Sequence, residues 1–504
     1  MPLAQKLPIF PGHDIFTSHY QRGLPQLVWV KCPADLDTPV AAMLRLKSDE
    51  DPCFLLESVE KGEIRGRYSV IGLAPDIIWR CRGNVAEIST GKNLASGTFS
   101  PCKKPSLEAL HELYEASKID IPEGLPPMAS GIVGYMAYDM VRLVEKLPES
   151  KPDTLEIPDS IFIRPRIMVI FDAVTDSKYI VTSVWPEQSG NADDAYHAAK
   201  ARIHAVLEKF QATLHAGEKG EFHPVSTSHF KPNTTRSEYD AMVAKAREHI
   251  AAGDIFQVVL SQRFSAPFAL PPFALYRALR QLNPSPFLFY LHMGNFTLVG
   301  SSPEILVRLR DGEVTIRPIA GTRKRGRDHK EDMELAADLL SDPKEISEHL
   351  MLLDLGRNDV GRVARIGTVR TTQKMIIENY SHVMHIVSNV VGEIDTKYDA
   401  LAALMAGFPA GTVSGAPKIR AMEIINDLEK TRRSFYGGCI GYFSGNGNMD
   451  TCIALRTGLI KDGTLHVQAG GGIVAESDTE AEYQECVNKS RALIRAAEEA
   501  IKFV

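Results

Sequence analysis

Two acidic helix starts carry the sharpest chemical signal in this sequence. In PKEISEHLMLLDLGRND, Glu345 and Glu348 stand three residues apart just after Asp342-Pro343. In SDTEAEYQECVNKSRALIRA, Glu482 and Glu485 repeat that spacing just after Asp478-Thr479. Positions three apart share a helical face, so each helix presents two carboxylates side by side. Two such helices facing each other would make an all-oxygen nest of the kind Mg²⁺ prefers. One pair alone is better explained by first-turn carboxylates that complement the helix macrodipole. The repetition is what points to a metal.

Other candidates sort quickly. Gly470-Gly471-Gly472-Ile473-Val474-Ala475 fits a loose dinucleotide fingerprint, but the next helix begins near Asp478 and no further strand follows to hold a ribose. The run from Gly411 to Lys418 lacks the Gly-Lys-Ser/Thr ending of a phosphate loop, and Pro417 removes a donor. Both glycine runs read as tight turns, or as backbone that lets amides approach an anionic ligand. His382 and His385 sit among valines and isoleucine that read as a strand, where positions three apart face opposite sides, so at most one of the two enters a site. The basic run Arg323-Lys324-Arg325-Gly326-Arg327 is cancelled by Asp328, Glu331, Asp332 and Glu334 and reads as a solvated, salt-bridged segment. Arg456, in a strand-like run, suits a carboxylate clamp because its planar fork matches that group. No G-x-S-x-G elbow or local Cys–His signature supports covalent acyl chemistry. Metal-holding carboxylates with Arg456, Lys489 and one histidine suit a small polycarboxylate ligand.

The elements that must hold these groups fall into two regions. Up to about residue 212, β-like runs (27–31, 161–171, 178–185) alternate with helices such as 192–215. Residues 216–236, rich in Pro, Gly, Ser and Thr, read as a linker. The second region opens on a helix with Tyr239, Val243, Ala246 and Ile250 at helical spacing, capped by Thr234 or Thr235 and closed by Gly253. A strand at 255–264 puts Gln257, Val259, Ser261 and Arg263 on one face. Further strands fit 297–300, 313–318, 382–391, 438–444, 451–460 and 464–469, and helices fit 344–355, 418–428 and 479–503. Clustered rather than strictly alternating elements predict an α+β fold with largely antiparallel sheet.

Composition bounds the rest. A chain of 504 residues, 44% hydrophobic and 24% charged, buries a core without disulfide or metal. The net charge of −6 offers no basic field for nucleic acid or an anionic membrane. Seven cysteines with no C-x-x-C argue against a disulfide framework and a zinc ribbon. There is no secretory signal pattern and no run of 18 apolar residues, so a cytoplasmic protein is expected.

Five strings resemble the chorismate-utilising enzymes: RPIAGTRKRG (317–326), EISEHLMLLDLGRND (345–359), GTVSGAPKIRAM (411–422), YGGCIGY (436–442) and EYQECVNK (482–489). The resemblance runs from about residue 236 to the C-terminus. FLLESVE (54–60) and NPSPFLFYL (283–291) resemble one branch of that family, anthranilate synthase component I. The fold implied is a large, mostly antiparallel β-sandwich flanked by helices, with a smaller intertwined N-terminal regulatory domain. That gives a regulatory region 1–215, a linker 216–236 and a chorismate-binding catalytic region 237–504.

The resemblance also assigns roles. Glu348 and Glu485 resemble the principal Mg²⁺ ligands, with Glu345 and Glu482 as further or water-mediated ones. Arg456, Tyr436 and the backbone of Gly470, Gly471 and Gly472 resemble the clamp on the enolpyruvyl carboxylate, with Lys489 nearby, and Gly321 and Thr322 match further substrate contacts. Glu304, on its own a surface carboxylate after Pro303, matches the general acid. His385 matches the histidine of the elimination step, and Thr412 a third catalytic position. Relatives that add water carry a lysine where this chain has Gln257, and those with a covalent lysine nucleophile carry it where this chain has Ala320. Ammonia is the nucleophile left. Glu57, Ser58, Pro286, Phe287 and Leu288 resemble a tryptophan feedback site, with Leu288 where many relatives have methionine, a volume-conserving change. With no glutaminase region in the chain, ammonia from glutamine would come from a separate amidotransferase subunit. The alternatives are aminodeoxychorismate synthase component I, an isochorismate or salicylate synthase, and a catalytically silent tryptophan-binding regulator.

Overall fold

Several strands are apolar on both faces, and this decides the layering. Phe287–His292 sends Leu288 and Tyr290 into one core and Phe289 and Leu291 into another. Gln26–Pro33 divides Val28 and Val30 from Leu27 in the same way, and Cys53–Glu57 divides Leu55 from Phe54. With a side-chain period of two, such strands must lie between layers. A computed structural model describes residues 7–48, 50–60, 64–186, 190–214, 222–380 and 383–504. Within them 23 strands join one hydrogen-bonded sheet built from antiparallel ladders. One core consists mainly of strand residues from both ends of the chain, among them Phe54, Val70 and Ile161 with Phe289, Leu298 and Leu459. Helices cover two further cores. His13–Gln21, Ala192–Gln211, Pro272–Leu282 and Thr479–Glu499 pack over one, and Ser106–Ala116, Pro343–Gly361 and Ala400–Gly407 over the other. No helix among the described residues is long and apolar enough to cross a membrane.

The two regions read from the sequence share ladders. Cys53–Glu57 pairs with Phe287–His292, placing Glu57 opposite Leu288. Gly131–Met136 pairs with Cys439–Ser444. Of the linker, residues 216–221 lie outside the described residues. Lys231–Pro232 then joins the sheet against Ser265 and Phe264, and Thr235 forms a reciprocal capping box with Glu238 at the start of Arg236–Ala251.

Four readings differ from the structure. The helix read as 192–215 ends at Gln211, and the last helix ends at Glu499 before a 3-10 turn, Ala500–Phe503. The strand read as 451–460 is two strands, Met449–Ile453 and Thr457–Lys461. The first pairs with Ile305–Arg310 and the second with Phe296–Ser302, so both partners break at the same level. Glu304 and Arg456 occupy the paired break: Ile453 N–H donates to Glu304 O at 3.0 Å and Ser301 N–H to Arg456 O at 3.2 Å. Arg456 takes a left-handed φ of 49°, so it is a turn residue and no strand residue. Finally, Gly470, Gly471 and Gly472 are no turn. They lie inside the strand Thr464–Ile473, opposite Ser261, Leu260 and Val259.

Candidate active site

Both acidic pairs sit where local rules put them. Asp342 caps Pro343–Gly361 by accepting from Lys344 N–H at 3.0 Å, and Asp478 caps Thr479–Glu499 by accepting from Ala481 N–H at 2.9 Å. Each cap fixes the first turn, and with it the direction of the two glutamates that follow. Gln257 donates to Glu348 Oε1 at 3.2 Å. Arg323 donates to Glu345 Oε1 at 3.2 Å, and Ser477 Oγ to Glu482 Oε1 at 2.7 Å. Lys489 bridges Glu485 at 2.5 Å and Gly470 O at 3.0 Å. Burial and then neighbouring Glu348 push the Glu345 carboxyl up, and burial likewise raises Glu482, with Glu485 adding to it. Glu482 Oε2 is buried without a hydrogen-bond partner. Among the described residues no three of these four glutamates bring oxygens within 4.8 Å of one another; that condition is met by His111, Glu115 and Asp399, on other elements near the surface.

The glycine strand packs against the second of these helices and meets Gln257, the side chain that donates to Glu348 on the first. A Cβ at Gly472 would stand 2.5 Å from Gln257 Nε2, one at Gly471 3.0 Å from Glu482 Oε2, and one at Gly470 2.9 Å from Tyr436 Oη. Close approach by side chains from three directions is what these positions require. The Arg456 guanidinium has no hydrogen bond or ion pair among the described residues, and burial lowers its pKa. A guanidinium left so is a receptor for an anion.

Glu304 is buried, 5% exposed, contrary to its reading as a surface carboxylate. Its place in the double strand break, far from either strand's partner in sequence, accounts for that. Burial pushes its carboxyl up to about 8, against a hydrogen bond from Thr412 Oγ1 at 2.7 Å and the field of Lys489. It is therefore a protonated acid at neutral pH. His385 lies on Val383–Glu393, paired with Thr322 of Ile319–Lys324. Its Nδ1 meets Gly321 O at 2.9 Å and Thr322 Oγ1 at 3.0 Å. Since a carbonyl only accepts, Nδ1 carries the proton and Nε2 keeps its lone pair. Burial lowers the His385 pKa, which favours that neutral form. The Tyr380 ring packs edge-on against it at 5.4 Å. His382 lies outside the described residues.

Glu57, Ser58, Pro286, Phe287 and Leu288 line one cleft of about 1270 Å³. Glu57 is bound by Arg280 at 2.6 and 3.0 Å and by Tyr276 at 2.5 Å. Tyr380 lines this cleft as well, so one side chain separates it from His385.

Sequence reasoning missed Arg323 and Tyr380. The basic run is salt-bridged as read, but Arg323 reaches past Asp338 and Asp342 to Glu345, inside the acidic pair. Nothing in the sequence sets Tyr380 apart from the other tyrosines.

The family model described as chorismate binding enzyme matches residues 51–495. Anthranilate synthase component 1 of Cereibacter sphaeroides is 55% identical over 97% of this chain and 97% of its own length. That of Pseudomonas putida is 47% identical over 92% and 93%. The crystal structure of anthranilate synthase component I from Streptococcus pneumoniae is similar with a TM-score of 0.75 and 36% identity, covering 92% of this chain and 99% of that one.

Proposed function

The chain belongs to the chorismate binding enzyme family, and on that premise we infer that it converts chorismate and ammonia to anthranilate and pyruvate. The observation that carries the choice within the family is Gln257. It stands where water-adding relatives carry lysine, and its amide is committed to Glu348. Ala320, a buried strand residue, offers no nucleophile of its own. The attacking nitrogen then comes from outside, as free ammonia or from a glutamine amidotransferase partner subunit.

The chain's residues divide the work. Arg456, Tyr436 and Lys489 hold the carboxylates of the substrate. Glu304 gives its proton to the departing ring hydroxyl, which leaves as water as ammonia adds. His385 Nε2 takes the ring proton, and the enolpyruvyl group leaves with a proton gained at its methylene carbon, as pyruvate. Glu348 and Glu485, with Glu345 and Glu482 directly or through water, would hold Mg²⁺. The orphaned Glu482 oxygen and the mutually repelling carboxylates fit a divalent cation, and their spread fits one that keeps several waters. When bound, Mg²⁺ would neutralise and orient the ring carboxylate. The cleft at Glu57 and Leu288 is the proposed site of tryptophan, acting as feedback inhibitor, and residues 1–215 form the regulatory region.

The test is mass spectrometry of products after incubation with chorismate, Mg²⁺ and ammonium, with and without chelator and tryptophan. Anthranilate and pyruvate, lost on chelation and reduced by tryptophan, are expected. Isochorismate, salicylate or an unaromatised amino product would overturn the assignment.

A further inference from the structure

Arg433 is 2% exposed and takes no part in the chemistry above. Its Nε and one terminal nitrogen grip both oxygens of Glu429, at 2.9 and 2.6 Å. The same terminal nitrogen donates to Val259 O at 2.6 Å, and the other to Val413 O at 2.5 Å. Tyr138 and Tyr436 flank the guanidinium with ring centres at 4.8 and 5.5 Å. Glu429 Oε1 in turn accepts from Ser261 N–H and Ser261 Oγ, each at 2.8 Å. The next residue, Ser434, has a φ of 54° and is pinned by Asp139, so the turn that presents both Arg433 and Tyr436 is itself fixed.

A buried ion pair is weak evidence of a stabilising purpose, since apolar packing of like volume often does as well. What this one touches is more telling. Val413 closes the turn Gly411–Val413, whose middle residue is Thr412. Val259 lies on the strand Gln257–Pro267, two residues from Gln257. Tyr436 is the third contact.

We propose that Arg433 is a positioning residue for the amination: its planar fork, anchored by Glu429, sets the Thr412 turn, the Gln257 strand and the Tyr436 ring against one another. This rests on the roles given above to Thr412, Glu304 and Tyr436. Lysine cannot substitute, because a single ammonium on a flexible stem does not span Glu429 and two carbonyls as a planar fork does. Loosening the turn would also weaken the Thr412 bond to Glu304. That bond holds the Glu304 carboxyl down against burial; Lys489 also lowers it, and Tyr380 is the other titrating group near it.

The experiment compares the full chain with its Arg433→Lys and Glu429→Gln variants, using chorismate, Mg²⁺ and ammonium. It reads kcat, KM and the alkaline limb of the pH profile, with circular dichroism and thermal midpoints on the same samples. Folded Arg433→Lys is expected to lose about 10- to 100-fold in kcat/KM, mostly in kcat, and its alkaline limb is expected to move to higher pH. Wild-type kinetics and an unmoved limb overturn the proposal, as does a lowered thermal midpoint with unchanged kinetics. If Arg433→Lys does not fold, Glu429→Gln, which loosens the same fork at its anchor, is held to the same criteria. Failure of both to fold makes the role purely structural and overturns the proposal. A wild-type chain that leaves chorismate untouched overturns the reaction itself, whereas wild-type turnover with an indistinguishable Arg433→Lys overturns only the role of Arg433.

Discussion

Around Glu57 charge is already answered: both carboxylate oxygens have donors, from Arg280, Tyr276 and Ser69. Around Glu304 and Arg456 it is not. Among the described residues the Arg456 guanidinium has no hydrogen bond or ion pair and Glu482 Oε2 has no donor, while Glu304 escapes the cost of a buried charge by staying protonated. Tyr380 lines the cleft at Glu57 and packs against His385. The contrast teaches where polar capacity is left unmet, which is where the proposed substrate and cation would be received. An amino acid received at the other place, as proposed, would meet a network already satisfied. An effector that rearranges it biases the molecule between two arrangements.

The strongest way to break this contrast is Glu304→Gln. Removing the acid should lower kcat by about 10²- to 10⁴-fold in the ammonium reaction. In the unaltered chain kcat/KM should fall as pH rises through about 8, because the raised carboxyl then loses the proton it must give; in the variant that limb should vanish. Glu485→Gln keeps shape and removes one charge from the proposed cation nest. A loss of about 10²- to 10³-fold is expected, with a weakened Mg²⁺ requirement curve as the second readout. A paired comparison follows. Arg456→Met should raise KM for chorismate about 10-fold or more while leaving urea unfolding unchanged or improved, since no partner is orphaned. Arg280→Met leaves the buried Glu57 without its cation, beside the neutral hydroxyls of Tyr276 and Ser69, and should cost about 3 kcal/mol of stability in the same titration. Equal stability effects would erase the distinction between the two places. The smallest effect expected is for Leu288→Met. It conserves volume, so tryptophan inhibition should change by less than about 10-fold with kcat unaltered.

What the sequence made legible was local. Thr235 with Glu238, Asp342 before Glu345 and Asp478 before Glu482 are cap signatures, and all three sit at helix starts in the structure. Alternating apolar runs gave the strands. Glu304 escaped such reading because its burial comes from a break shared by strands some 150 residues apart. Arg433 and Glu429 stand four apart in the sequence, past the end of the helix Lys418–Leu428, and nothing in that spacing distinguishes an interior pair from a solvated one. Gly470 to Gly472 looked like a turn because glycine carries no side chain with which to display a period of two.

The ladder between Gly131–Met136 and Cys439–Ser444 has a consequence during synthesis. The early strand leaves the ribosome about 300 residues before its neighbour exists. At about 5–20 residues per second, that is roughly 15–60 s with an apolar edge unpaired. For that interval the nascent chain is exposed to wrong partners, including other copies of itself. Its yield in the cell therefore depends on chaperone shielding and translation speed as well as on the stability of the finished fold.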